Sequence, residues 1–189
     1  RFDLSGAQRP FELANRVGQG DATVLTLYAG YQTQMGRTAD ALTAIKRAAS
    51  LDPLNAGVHR GVGWVQYFGR NFEAAIAACQ RSIAINADVD DAHGITGDSL
   101  YQQGKFTEAE AQYLKALAVW PHNFQAHRDL GVLYDLYLVQ PEKALQHFTL
   151  CDQLSAEPNK EIKGWIIELN RRLNKKTAPA PEAKLEGAP

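Results

Sequence analysis

From residue 22 onward, stripes of small and apolar residues recur in a fixed order, separated by helix breakers. Leu25, Tyr28, Ala29 and Gln32 have the spacing of one helix face, and Gly36 ends that helix. Ala41, Ile45 and Ala48 stripe a second helix, which Pro53 stops. The next copy offers His59, Val62, Gly63 and Gln66, then Ala75, Cys79 and Ser82. A third offers His93, Thr96, Gly97 and Leu100, a break at Gly104, then Phe106, Ala109, Tyr113 and Ala116, with a stop at Pro121. The fourth has His127, Leu130, Gly131 and Tyr134, then Ala144, Phe148 and Cys151 after Pro141.

The spacing between copies is regular. His59, His93 and His127 are 34 residues apart, and Gly63, Gly97 and Gly131 each follow four residues later. Ala109 and Ala144 are 35 apart, so one residue is inserted in the turn around residues 139–141. Such a repeat predicts stacked copies of one helix pair, each too small to bury its own apolar face. The expected units are 22–55, 56–89, 90–123 and 124–158. Before them, 1–21 reads as a degenerate half-repeat, with Ala7, Phe11 and Ala14 on one stripe and Pro10 within it. After them, 159–174 predicts one amphipathic helix that caps the stack, its apolar face made of Ile162, Trp165, Ile166, Leu169 and Leu173. Residues 175–189, with Pro179, Pro181 and Pro189, read as a flexible tail.

These residues resemble the tetratricopeptide repeat, whose pattern is an aromatic, Leu-Gly, Tyr, then Ala, an aromatic and a final Pro. The third unit matches with Gly97, Ala109, Tyr113 and Pro121; the fourth with Leu130, Gly131, Tyr134, Ala144 and Phe148. Departures are the leading Trp, replaced by Leu25 or His, and the final Pro, missing at Ala87 and Ala156. The resemblance covers about three quarters of the chain and implies an all-α right-handed superhelix of antiparallel helix pairs. It also implies a concave face lined by the first helix of every pair. A softer likeness to bacterial cell-envelope repeat lipoproteins rests on the stretch 130–138 and on Gly164, Trp165 and Ile166. It implies a bacterial periplasmic or membrane-associated location.

Small residues explain the expected packing. Gly63, Gly97 and Gly131 let the two helices of a pair approach, with Ala75, Ala109 and Ala144 opposite, while Tyr113 and Phe148 fill space between units.

Charge narrows the partner. Lys plus Arg total 20 against 21 Asp plus Glu, a net charge of −1, which lacks the basic excess of a nucleic-acid surface. No apolar run is long enough to cross a bilayer. The expected partner is a protein or peptide, and self-association through the ends of the stack is the alternative. On the resemblance, the concave face carries Arg60, Trp64, Tyr67 and Phe68, then Asp98, Tyr101 and Gln102 with Gly94 beside them, then Arg128, Val132, Asp135 and Leu136. On the first unit the same positions are Thr26, Gly30, Thr33 and Gln34. Trp, Tyr and Arg dominate binding hot spots, although aromatic stripes at helical spacing also build cores. A subfamily of these repeats clamps a terminal carboxylate with Lys and Asn. Thr26 and Gly30 at the matching positions argue against that mode and for a segment held by apolar anchors with Arg60 and Arg128.

No catalytic, cofactor or metal constellation emerges. The histidines on the beat fall one repeat step apart, about 8–10 Å between packed helices, while metal ligands converge to about 2.1 Å. His122 falls on a turn and His147 on a second-helix flank, with no partner at ligand spacing. Gly61 and Gly63 follow no strand, so they do not form a phosphate loop. Cys79 and Cys151 occupy inward slots, two repeats apart, as packing residues. Asp88, Asp90 and Asp91 fall at a turn between units, where Asp90 or Asp91 is placed to cap the next helix.

Overall fold

The computed structural model describes residues 12–13, 18–89 and 91–177, with side chains through 174. The expected half-repeat within 1–21 and the tail beyond 177 lie largely or wholly outside that range. Every regular element among the described residues is an α-helix. In chain order they are α1 Ala22–Gln34, α2 Thr38–Leu51, α3 Ala56–Phe68, α4 Phe72–Ile85, α5 Ala92–Gln102, α6 Phe106–Val119, α7 Phe124–Leu136, α8 Pro141–Leu154 and α9 Lys160–Thr177. The chain divides into two compact units, Arg1–Ala126 and His127–Pro189.

In the first unit α1 pairs with α2, α3 with α4 and α5 with α6, and α3 also packs on α1, and α5 on α3. Leu25 and Ala29 of α1, Ala41, Ala44, Ile45 and Ala48 of α2, and Val58 and Val65 of α3 form one buried cluster. A second joins Cys79 of α4 to Ala92 and Ile95 of α5, with Trp64, Tyr67, Ile83 and Val89 packed against it.

The glycine slots bring paired helices together. A methyl group built on Gly97 would lie 2.6 Å from the ring of Tyr113, and one on Gly61 would lie 2.9 Å from Thr26 across α1. Gly63 faces the thiol of Cys79 in the same way. Tyr113 therefore fills space within its own pair, and its hydroxyl donates to Asp98 Oδ1 at 2.8 Å.

Turns between the helices of a pair share one backbone solution. Gly36, Arg70, Gly104 and Val139 occupy equivalent places and all have positive φ, from 52° to 75°. In the first three, the next residue donates its amide to a carbonyl five residues back: Arg37 to Gln32, Asn71 to Gln66 and Lys105 to Leu100. These are the closing bonds of left-handed helix caps. In the fourth, Gln140 reaches six residues back to Tyr134, which is how the inserted residue is absorbed.

First helices are capped differently. Asp21 accepts from the amides of Thr23 and Val24, Asn55 from Val58, Asn123 from Ala126, and Asn159 from Glu161 and Ile162. Helix α5 is the exception. Val89 stands where Asn55 and Asn123 stand, and Asp91 occupies the N-cap with φ 64° and no side-chain cap bond. The expectation that Asp91 caps α5 therefore fails, and Asp90 lies outside the described residues.

In the second unit Gly131 lies under the ring of Phe148. Phe148 also meets Trp165 of α9, with ring centroids 4.8 Å apart. Ile162 and Leu169 of α9 are buried, while Ile167 is exposed.

Candidate functional site

A groove of about 390 Å³ opens in the first unit, lined by Thr26, Leu27, Gly30, Tyr31 and Gln34 of α1, Arg60, Gly61 and Trp64 of α3, and Asp91 before α5. All three contributors are first helices of successive pairs or the turn that leads into one.

Helix α1 leaves open space in the groove at Gly30. A methyl group on Gly30 would meet no atom within 4 Å. Leu27, 61% exposed, stands one turn before it. The Thr26 hydroxyl is committed to Ala22 O at 2.7 Å, so it offers acceptor capacity only. Thr33, expected on this face, is buried with its hydroxyl on Ala29 O at 2.8 Å.

Trp64 serves two surfaces. It packs against the Cys79–Ala92–Ile95 cluster and also lines the groove. Its ring lies 4.5 Å from that of Phe68, which is 49% exposed. Tyr67 packs on the same cluster and against Phe68 and Phe72, and it does not line the groove. Asp91 reaches the groove because α5 starts late; its carboxylate lies over Gly94, where a methyl group would approach Oδ1 to 2.6 Å. Neither Leu27 nor Tyr31 stood out in the sequence pattern, because the α1 stripe ran through Leu25, Tyr28, Ala29 and Gln32.

Other sequence-selected residues have structural partners. Asp98 accepts from Tyr113, Tyr101 stacks edge-on against Phe106 at 5.7 Å, and Gln102 is exposed. In the second unit Arg128 pairs with Asp129 at 3.0 Å, and Asp135 pairs with Arg172 of α9.

The recurring histidines make three different bonds. His59 Nε2 donates to Pro53 O at 2.8 Å, and His93 Nδ1 meets Gln112 Oε1 at 2.9 Å. His127 Nδ1 lies 2.9 Å from His147 Nδ1, so His147 does have a partner, contrary to the sequence reading. Burial, then His127, then Lys143 push His147 down to about 4. Among the described residues no group of three or more His, Cys, Asp or Glu is arranged to hold a metal. Cys79 and Cys151 are buried and not in disulfides, and burial pushes both thiols up to about 12, so neither ionises as a nucleophile near neutral pH.

Comparison with known proteins agrees with the repeat geometry. Residues 32–90 match a model of the tetratricopeptide repeat, and 97–135 match a second TPR repeat model. The chain belongs to the tetratricopeptide repeat family and has its all-α helix-pair fold. A thermophilic TPR protein of Thermus thermophilus is similar at 18% identity and TM-score 0.74, covering 85% of this chain and 87% of that one. PilF of Pseudomonas aeruginosa is similar at 18% and 0.72, covering 82% and 69%. The first TPR of Spaghetti (RPAP3), bound to the HSP90 peptide SRMEEVD, is similar at 22% and 0.57, covering 61% and 94%. At these identities the likeness is one of fold. No curated protein matches the sequence. No described helix is long and apolar enough to cross a membrane.

Proposed function

We infer that this chain is a non-enzymatic scaffold that holds a segment of another protein in the groove between α1, α3 and the start of α5. The observation that carries the reading is the groove itself, where Arg60 and Trp64 meet an α1 surface left open at Gly30. Trp and Arg are the residues in which binding energy concentrates. The Spaghetti structure, bound to an HSP90 peptide, supports a peptide as the kind of ligand this fold accommodates. Buried, protonated thiols favour a binding role over nucleophilic chemistry.

The finer proposal places the scaffold in assembly of a bacterial envelope complex, on the likeness of 130–138 and of Gly164, Trp165 and Ile166 to envelope repeat proteins. Arg128 and Asp135 belong to the second unit and join the proposal as a second contact surface. The alternative is a structural subunit that self-associates through its ends, favoured by the exposed Ile167 on the capping helix.

Partner capture from native extract tests the groove. Wild type and an Arg60→Ala, Trp64→Ala variant are compared by mass spectrometry, with circular dichroism to confirm folding. A partner retained by wild type and lost by the folded variant is expected. Equal recovery would sink the groove assignment. A stable oligomer in sedimentation, unchanged by the variant, would favour self-association.

A further inference from the structure

The groove of the first unit is electrically balanced. Among its lining side chains Arg60 brings one positive charge and Asp91 one negative charge, and the rest are uncharged. Binding a carboxylate-rich segment requires an excess of cations, as in phosphate and acidic-motif sites. Helix α1 supplies none to the groove, since its lining residues are Thr26, Leu27, Gly30, Tyr31 and Gln34. What the groove does supply is apolar surface and space. Leu27 and Trp64 are exposed and half-exposed, Tyr31 lies beneath, and nothing occupies the volume above Gly30. A volume of about 390 Å³ is at the small end of ligand sites, room for about one large aromatic side chain with its backbone.

We propose that the groove takes an uncharged peptide segment through one aromatic side chain seated over Gly30, between Leu27, Tyr31 and Trp64. The proposal rests on the groove reading above and gives it a ligand chemistry. An inserted ring would lie against Trp64 and the small exposed part of Tyr31, adding aromatic contact to the area it removes from water. Gln34, Arg60 and Asp91 line the same groove and are the polar side chains that the segment's backbone would meet. The left-handed Asp91 fits this picture, since backbone in a sparsely populated region gathers at ligand clamps.

The test is a titration of isotope-labelled protein followed by NMR at the Gly30 amide and the Trp64 indole. Two probes are used. One is an acetylated, amidated pentapeptide with tryptophan at its centre and glycine elsewhere; the other is the acidic peptide SRMEEVD. The tryptophan peptide should shift both resonances saturably. Its Kd should change less than about twofold between about 50 and about 500 mM salt, because no net charge is being screened. Gly30→Leu fills the groove while exchanging glycine for a better helix former, so the variant should stay folded and lose this binding. Leu27→Ser should weaken it several-fold. If SRMEEVD moves the same resonances with steep salt dependence, the aromatic anchor is wrong and the groove reading survives. Failure of both probes, or undiminished tryptophan-peptide binding by Gly30→Leu, also overturns the anchor. Undiminished capture of a native partner by Gly30→Leu overturns the groove itself.

Discussion

The second and third helix pairs, α3–α4 and α5–α6, are built on the same register and solve the same packing problem with different side chains. In the third, the aromatic slot on the second helix holds Tyr113, which covers Gly97 and ties its hydroxyl to Asp98. In the second, that slot holds Cys79 over Gly63, and the bulk appears instead as Trp64, at the position equivalent to Asp98. The ring has moved from the second helix of the pair to the first, on the side that lines the groove. The third pair departs in its turn: Val89 replaces the capping Asn, α5 starts late, and Asp91 swings out. Trp64 and Asp91 are thus the two groove residues that exist because each pair broke the repeat once. A regular array would have the same core and no such site.

Removing the ring that the third pair relies on should have the largest effect. Tyr113 is 2% exposed and packs on a glycine that cannot fill the void. Tyr113→Ala should cost about 3–5 kcal/mol, read as a lowered urea midpoint. Cys79→Ala in the second pair removes far less volume and should cost markedly less. Equal losses would mean that the two slots do not differ as described.

Converting one pair into the other is a sharper test. Cys79→Tyr alone adds a ring beside Trp64 and should destabilise by about 1–3 kcal/mol through overpacking. Adding Trp64→Asp vacates the first-helix position and supplies the carboxylate that Asp98 gives Tyr113. The double variant should recover part of the loss, a coupling of about 0.5–3 kcal/mol in a double-mutant cycle. Additive losses would break the idea of a relocated ring. The double variant should also lose whatever the groove binds.

How far these features were legible in the sequence follows from their regularity. Gly63, Gly97 and Gly131 announce close helix approach because they recur on one period, and the structure sets Cys79, Tyr113 and Phe148 against them. Arg60 and Trp64 were legible as a face because they lie four residues apart on one helix, beside the stripe of His59 and Gly63. Asp91 was not, because its place depends on a missing cap. The available signal was Val89, standing between Asn55 and Asn123 at equal spacings of 34 residues. Tyr67, on the same helix, packs partly against the Cys79–Ala92–Ile95 cluster, a contact the face pattern alone does not show. The His127–His147 pair was hidden by the inserted residue, which shifts His147 by one from the slot of Gln112.

That slot gives a pH test. His93 meets Gln112 in the third pair, and His127 meets His147 in the fourth. His147 titrates near 4 in the folded chain, below the ordinary 6.5. Between those values the unfolded chain binds the extra proton, so stability is full above about 6.5 and falls as pH drops toward 4. Carboxylates titrate near the lower limit, so the comparison is between variants. His147→Gln, which copies the third pair, should flatten the melting temperature against pH over this window. An unchanged profile would mean that the imidazole pair does not carry the dependence.

The smallest effect belongs to the turns. Arg70 of the second pair and Gly104 of the third hold the same left-handed position, at φ 59° and 74°. Glycine adopts it freely, whereas a Cβ costs about 1–2 kcal/mol there. Gly104→Ala should therefore destabilise by about 1 kcal/mol, although a methyl group at that position meets no neighbour within 4 Å. The reverse change, Arg70→Gly, should gain less than Gly104→Ala loses, because the Arg70 guanidinium stands 5.5 Å over the Phe72 ring. An exposed contact of that kind is worth about 0.5–1 kcal/mol. Val139 takes the equivalent position in the fourth pair with a β-branched side chain, 76% exposed and without a charge to set over a ring. Val139→Gly should consequently gain more than Arg70→Gly in thermal unfolding. A larger gain at Arg70 would show that its guanidinium contributes nothing over Phe72.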